Sequence, residues 1–194
     1  MTLTLAPYDA PLTGEETISR TKAAGSVAVA SNSTTGTLRM GFFRANRSEP
    51  ITKVRVPCVT APSGGTPSLI RVGIYSVTLG SDNQPSASLA LVGSTANDTA
   101  LLAASGTEYE KALQATLNKV RGQWYAVGVL VVPGTGVTGP AVAGYSGASA
   151  PAMAGGNTRP RLAASLGSQS DLPSTITTGS LGNTSFVPYI LLEQ

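Results

Sequence analysis

The chain has 194 residues, of which 41% are hydrophobic, 12% charged and 5% aromatic, and its net charge is +3. This length is typical of one domain, and the low charge excludes a charge-rich disordered chain. The sequence contains no His and a single Cys, which excludes Ser-His-Asp catalysis, an internal disulfide framework and a Cys-based zinc site. We therefore expect no catalytic residue, no cofactor and no metal ion.

The start of the chain lacks the basic flank and the long apolar run of a secretory signal. No apolar run reaches the roughly 18 residues that span a membrane, so we expect no membrane span. The protein is then expected either to act in the cell that makes it or to leave that cell by assembly and lysis.

Residues 1–36 differ from the rest of the chain because their large apolar residues are sparse and follow no sustained period. Such a segment does not bury enough surface to fold alone, which predicts an extended N-terminal arm that neighbouring subunits order. Val27 and Val29 fit one short strand against another surface. We expect the folded domain to comprise residues 37–194.

Basic residues cluster between Arg39 and Arg71, whereas residues 72–110 contain acidic residues but no Lys or Arg. Two interpretations stay open: a basic surface meets an acidic one between neighbouring copies, or the charges lie on ordinary solvated strand faces. A net charge of +3 is weak for phosphate binding, so we expect no nucleic-acid partner.

Short strands separated by turn residues are predicted from residue 38 onward. Pro57 predicts a sheet edge or a bulge in one of them. Cys58 alternates with apolar residues there, so we expect it to be buried rather than reactive. Residues 123–132 are apolar on both faces, which predicts a strand in the middle of a sheet. The other predicted strands are 38–44, 51–60, 69–78, 88–93, 161–166 and 186–192.

The segment between Gly106 and Gly122 fits two periods. Its apolar residues match a helical stripe slightly better than a strand, but predicted strands surround it, so we predict a strand. About eight strands at this spacing, with few helix signals, predict an all-β fold: an antiparallel β-sandwich of jelly-roll type with an extended N-terminal arm.

Residues 133–160 are mostly Gly, Ala, Ser and Pro, and they predict a long loop. Its small side chains suit close packing against another copy of the chain. Tyr145 lies within it and is the aromatic residue that we expect to be exposed, so it is the candidate for binding a sugar ring.

Several local motifs match catalytic or cofactor signatures without the context that those signatures need. Residues 134–139 spell GxGxxG, but no helical pattern follows. Ser19 and Lys22 spell SxxK in the weakly patterned arm rather than at the start of a buried helix. Glu108 and Glu110 are the acids worth testing for glycoside hydrolysis, although carboxylates beside turns are usually just solvated.

Three segments resemble strand patterns of a known family. Arg71–Val77 resembles an R-hydrophobic-G-L-Y strand, Gly122–Gly128 resembles G-Q-x-Y-A-V-G, and Asp171–Ile176 resembles D-L-P-x-T-I. In this order, over residues 38–192, they resemble jelly-roll-like modules in structural proteins of tailed phages of actinobacteria. Such modules occur in minor tail and fibre proteins, and similar sandwiches decorate capsids.

The resemblance implies a structural and adhesive virion protein without enzymatic activity. We expect a minor tail or tail-tip component that forms a homo-oligomer, with a trimer favoured, and that binds other virion proteins through residues 1–36. Host cell-wall polysaccharide is a further expected partner, and we expect residues 137–154 to face the host envelope or a neighbouring virion protein. The alternatives are a capsid decoration or head-fibre protein and a carbohydrate-binding module.

Overall fold

The protein's computed structural model describes residues 14–17, 25–29, 35–81, 85–86, 88–146, 162–184 and 186–194. Within these residues the chain forms two antiparallel sheets with a shared core, which confirms the predicted all-β sandwich. No helix there is long and apolar enough to cross a membrane. The strands are β1 (Gly14–Glu16), β2 (Gly25–Ala28), β3 (Gly36–Arg44), β4 (Glu49–Thr60), β5 (Leu69–Val77), β6 (Ser88–Ser94), β7 (Thr107–Lys119), β8 (Trp124–Val132), β9 (Ala141–Ser146), β10 (Ala163–Gln169), β11 (Thr175–Thr177), β12 (Phe186–Pro188) and β13 (Leu191–Glu193).

The first sheet has the strand order β1-β13-β4-β9-β12, with β7 paired to β4 and β2 paired to β9. Strand β4 is central to it, because β7 follows one side of β4 while β13 and then β9 pair with the other side. The second sheet has the order β10-β3-β8-β5-β6-β11. Strand β8 lies between β3 and β5, as its apolar composition predicted.

The main core lies between the two sheets. Along β5, Ile70, Val72 and Ile74 point into this core, and they meet Val127 and Val129 of the neighbouring strand β8. All five side chains are fully buried. Burying each such side chain stabilises the fold by about 1.5–3 kcal/mol, because its apolar surface is removed from water. The alternating pattern of the sequence therefore fixes which face of the second sheet turns inward.

A second apolar cluster covers the other face of the second sheet. Leu38 and Met40 of β3 and Leu130 of β8 are fully buried there. The chain that follows β10 contributes Leu172 and Ile176 to the same cluster. The second sheet is therefore buried on both faces, which is why β8 has no polar face.

Two described segments of the expected arm, which contain β1 and β2, belong to the first sheet of the same chain. Strand β1 pairs with β13, and β2 pairs with β9. Val27 and Val29 are fully buried in the main core, so the surface that they pack against is the chain's own sandwich. The Thr17 hydroxyl holds the end of β1 by donating a hydrogen bond to Pro188 O at 2.8 Å. Residues 1–13 of the expected docking arm lie outside the described residues.

Strand β7 confirms the prediction of a strand between Gly106 and Gly122. It pairs with β4 over most of its length, and a register shift separates the Ile51–Leu117 pair from the Lys53–Ala112 pair. This irregularity accounts for the sequence pattern, because the extra residues on β7 displace its apolar side chains from strict alternation.

The predicted long loop of residues 133–160 was wrong for residues 141–146, which form strand β9. The small residues of this strand permit close approach of its neighbours rather than marking a loop. A Cβ atom on Gly144 would lie 2.4 Å from Val187 O, so only glycine fits between β9 and β12 at that point. Residues 147–154 of the segment expected to face the host lie outside the described residues.

The predicted strand at residues 186–192 is two strands, β12 and β13. They separate because β12 pairs with β9 whereas β13 pairs with β4. Tyr189 and Ile190 form the step between them, and Ile190 is fully buried in the main core.

Candidate functional site

A groove of about 440 Å³ lies on the first sheet where the neighbour of β4 changes from β13 to β9. On this side Arg55 pairs with Leu191, and Cys58 pairs with Val142. Pro57 falls between the two partners, where its missing N–H interrupts no ladder. The sequence predicted an edge or bulge at Pro57, and a register shift does follow between Cys58 and Thr60. The lining residues are Pro57, Cys58, Val59, Gly106, Thr107, Glu108, Ala143 and Tyr189.

The base of the groove offers no reactive nucleophile. Cys58 is 2% exposed, as predicted, and its Sγ donates to Leu102 O at 3.3 Å. Burial raises the pKa of this thiol, which disfavours the reactive thiolate. Tyr189 is also buried, and its hydroxyl donates to Glu16 Oε1 at 2.9 Å. Both side chains serve the packing of the groove rather than chemistry within it.

Charged side chains next to the groove pair with each other across β4, β7 and β13. Arg55 Nη2 lies 2.9 Å from Glu110 Oε2 and 3.1 Å from Glu193 Oε2, and Arg55 Nη1 lies 3.8 Å from Glu108 Oε2. Lys53 Nζ lies 3.1 Å from Glu110 Oε2. The basic and acidic segments of the sequence therefore meet within one chain, on adjacent strands.

This pairing bears on the two acids considered for glycoside hydrolysis. The hydrogen bond from Lys53 lowers the pKa of Glu110, and Arg55 acts in the same direction. A general acid in such a reaction needs a raised pKa. Glu108 and Glu110 do lie on one strand face. The lowered pKa of Glu110 favours its ionised form, which lacks the proton that a general acid donates.

Tyr145, the candidate for contact with sugars, lies on strand β9 rather than in a loop. It is 38% exposed and pairs with Val187 of β12. Ala143, two residues earlier on the same strand, lines the groove. Val59, which also lines the groove, is 41% exposed. Exposed apolar surface on β4 and β9 thus accompanies the groove.

A buried ionic cluster, which the sequence analysis missed, lies where β1, β4 and the end of β7 meet. Lys119 is 2% exposed, Glu15 6% and Glu49 7%. Lys119 Nζ contacts Glu15 Oε2 directly and lies 2.8 Å from Glu49 Oε1. The assignment of residues 1–36 to a separate arm hid Glu15, and no spacing in the sequence relates it to Lys119.

The three segments that carry the family resemblance contact one another. Arg71 Nη1 lies 2.7 Å from Asp171 Oδ1, and the Tyr75 hydroxyl donates to Pro173 O at 3.1 Å. A Cβ atom on Gly73 would lie 3.0 Å from Leu172 Cδ2. These glycine, arginine and tyrosine positions therefore form one packing unit of the fold.

Comparison with known proteins does not assign the chain to a family. No protein-family model matches the sequence, and no curated protein is significantly similar to it. Among the residues that the structure describes, no group of three or more His, Cys, Asp or Glu side chains is arranged to hold a metal ion.

Proposed function

We propose that the chain is a non-enzymatic structural protein of a bacteriophage particle, a minor tail or tail-tip component that assembles with copies of itself. Its place in the particle is the tail of a phage that infects actinobacteria. In this proposal the protein works through its shape and its packing against other subunits. Among the described residues, neither the groove nor the ion-paired charges beside it supply a reactive group.

The observation that carries this proposal is the contact unit formed by Arg71–Val77, Gly122–Gly128 and Asp171–Ile176. Strands β5 and β8 pair directly, with Gly73 opposite Gly128. Asp171–Ile176 packs on the same face, through Leu172 at Gly73 and Pro173 at Tyr75. A resemblance spread over three distant segments is expected to reflect a shared architecture when the segments pack as one unit.

The electrostatics of the first sheet support a structural role in the same way. Arg55 and Lys53 are neutralised by carboxylates of the same chain, so this part of the described surface has no field of one sign that would recruit a nucleic acid. Salt-bridged strands that carry small and apolar exposed residues suit flat contacts between copies, and a trimer is the assembly that we favour.

Attachment to the particle is assigned to the N-terminal residues. Because β1 and β2 are strands of the first sheet, we assign the docking element that the proposal needs to the segment before them, residues 1–13. The proposed docking segment is therefore shorter than the arm of residues 1–36 that the sequence predicted.

The test is the location and copy number of the protein in purified particles. Quantitative mass spectrometry and immunogold labelling of particles from the encoding phage should find a few copies at the tail. Hundreds of copies on the head would replace the tail assignment with the capsid decoration alternative. Absence from particles that infect normally would overturn the proposal.

A carbohydrate-binding role is the second candidate, and the groove with exposed Tyr145 on an adjoining strand favours it. Purified protein should then sediment with host cell-wall polysaccharide, and Tyr145→Ala should weaken that binding at unchanged stability. The matched control is Val120→Ala, because Val120 is 56% exposed but follows β7 at the end opposite the groove residues Gly106–Glu108. Equal binding by all three proteins, or none by the wild type, would remove this candidate.

A further inference from the structure

The buried cluster at Lys119 holds an amine directly against a carboxyl group, with a second carboxyl group beside them. Lys119 donates a hydrogen bond to Glu15 Oε2, and the side chain of Lys119 has no exposed surface. The side chains of Glu15 and Glu49 are only 7% and 4% exposed. An amine and two carboxyl groups that are shielded from water in this way are the components of an amide condensation.

The surrounding contacts give the two carboxyl groups different environments. The backbone N–H of Asn46 donates to Glu15 Oε1 at 2.8 Å, which fixes that carboxyl group and polarises its carbonyl. Glu49 Oε2 lies 2.8 Å from Arg47 Nε and accepts from Gln194 Nε2 at 3.1 Å. Glu49 Oε1 accepts no hydrogen bond from the described residues and lies 2.8 Å from Lys119 Nζ. Glu49 is therefore placed to take a proton from the amine.

The geometry points to a spontaneous isopeptide bond between Lys119 Nζ and Glu15 Cδ, formed after folding with Glu49 as the proton relay. Neither the fold nor the proposed virion role requires it, so it stands or fails independently of the proposed function.

The reaction balances without any further reactant. The ammonium of Lys119 gives one proton to the Glu15 carboxylate along their hydrogen bond, which leaves a neutral amine and a neutral carboxylic acid. The neutral amine attacks Glu15 Cδ and forms the C–N bond, and Glu49 accepts the proton that the nitrogen then loses. Glu49 returns its proton to the departing hydroxyl group, and the C–O bond breaks as water leaves. The sum is one ammonium and one carboxylate converted to one amide and one water.

Burial favours the neutral reactants. Desolvation lowers the pKa of Lys119 to about 8. The adjacent carboxylates oppose this shift only while they are ionised, and proton transfer removes an ammonium and a carboxylate charge together. The charges that remain, on Arg47 and Glu49, pair with each other.

Solvated pairs in the same chain provide the contrast. Lys53 lies 3.1 Å from Glu110 and Lys111 lies 2.8 Å from Asp98, but these four side chains are 30–45% exposed. Water stabilises their charged forms and competes for both groups, so proximity alone leaves them as ion pairs. The bond at Lys119 would tie β1 to the end of β7 across 104 residues of sequence.

The primary test is the intact mass of the full-length wild-type protein under denaturing conditions. We expect a mass below that of the sequence by one water molecule. Digestion with trypsin should yield a branched product that joins residues 1–20 to residues 112–121, because the linked Lys119 is no longer cleaved. Fragmentation should place the branch at Glu15. Folded protein with the full sequence mass after prolonged incubation at neutral to mildly alkaline pH would overturn the inference.

Variants separate this bond from other losses of water. Glu49→Gln removes the proton relay and Lys119→Arg removes the amine, so each should restore the full mass, with circular dichroism reporting whether the fold is kept. Lys111→Arg, at a solvated pair, should retain the loss of water. A loss that persists in Lys119→Arg, or that maps to any other residue in the wild-type digest, would equally overturn the isopeptide bond.

Discussion

Arg71 Nη1 lies 2.7 Å from Asp171 Oδ1, although 100 residues separate the two in sequence. The same guanidinium donates to Thr95 O at 2.9 Å and to Gln114 Oε1 at 2.9 Å. One side chain of β5 therefore ties together the end of β6, the edge of β7 and the segment that covers the second sheet. We therefore infer that Arg71 contributes more to the stability of the fold than its exposed partner Asp171 does.

Replacing Arg71 should accordingly cost much more stability than neutralising Asp171. Arg71→Ala leaves Thr95 O without its charged donor and removes packing of the long side chain, so we expect a loss of about 2–3 kcal/mol. Asp171→Asn removes a charge from a side chain that is 55% exposed, and we expect less than about 1 kcal/mol. Urea denaturation followed by circular dichroism measures both. Equal losses would contradict the central role given to the arginine.

Gly128 is predicted to tolerate no side chain. A Cβ atom there would lie 2.6 Å from Arg39 O and 2.6 Å from Met40 Cγ on the neighbouring strand β3. Gly128→Ala must shift that backbone, and overpacking of this kind costs about 1–3 kcal/mol. The control is Gly167→Ala, since a Cβ atom at Gly167 meets nothing within 4 Å; it should stay within about 0.5 kcal/mol of wild type. Thermal unfolding compares them, and a neutral Gly128→Ala would show that β3 moves more freely than its packing indicates.

Acid should weaken the fold partly through Asp98. The hydrogen bond from Lys111 lowers the pKa of this carboxyl group, with backbone N–H groups of Ala100 and Leu101 acting in the same direction. Since the pKa is lower in the folded state, ionised Asp98 stabilises the protein at neutral pH, and this contribution disappears as pH falls through the folded pKa. Asp98→Asn should lower stability at neutral pH and make the acid limb of the stability curve less steep.

The companion variant Lys111→Met should shift the curve in the same direction by a smaller amount, because the backbone donors to Asp98 remain. Chemical denaturation at a series of pH values measures the effect. An Asp98→Asn protein with the acid dependence of the wild type would contradict the assignment.

Sequence pattern predicted those parts of the fold in which alternation alone decides the outcome. Strands β5 and β8 follow directly from their apolar residues, because each buries at least one complete face. The pattern missed β9 because Ala141–Gly144 pairs through close approach of the backbone. Small residues permit this approach, but they leave no alternation of large apolar residues in the sequence. It also missed the pair of Glu15 on β1 and Lys119 on β7, because these residues meet only through the pairing of β1 with β13, of β13 with β4 and of β4 with β7.

The N-terminal strands yield the prediction that most sharply separates fold from attachment. Deleting residues 1–36 removes Val27 and Val29 from the core, each worth about 1.5–3 kcal/mol, and removes Glu15 from buried Lys119. Together these losses approach the whole free energy of unfolding of a domain, roughly 5–15 kcal/mol, so we expect a poorly folded product.

Deleting residues 1–13 leaves every described strand intact and should preserve cooperative unfolding. In the proposed virion, that shorter deletion should abolish incorporation into particles. A 1–36 deletion that unfolds at the wild-type temperature would mean that β1 and β2 add nothing to the sandwich, and normal incorporation of the 1–13 deletion would refute N-terminal docking.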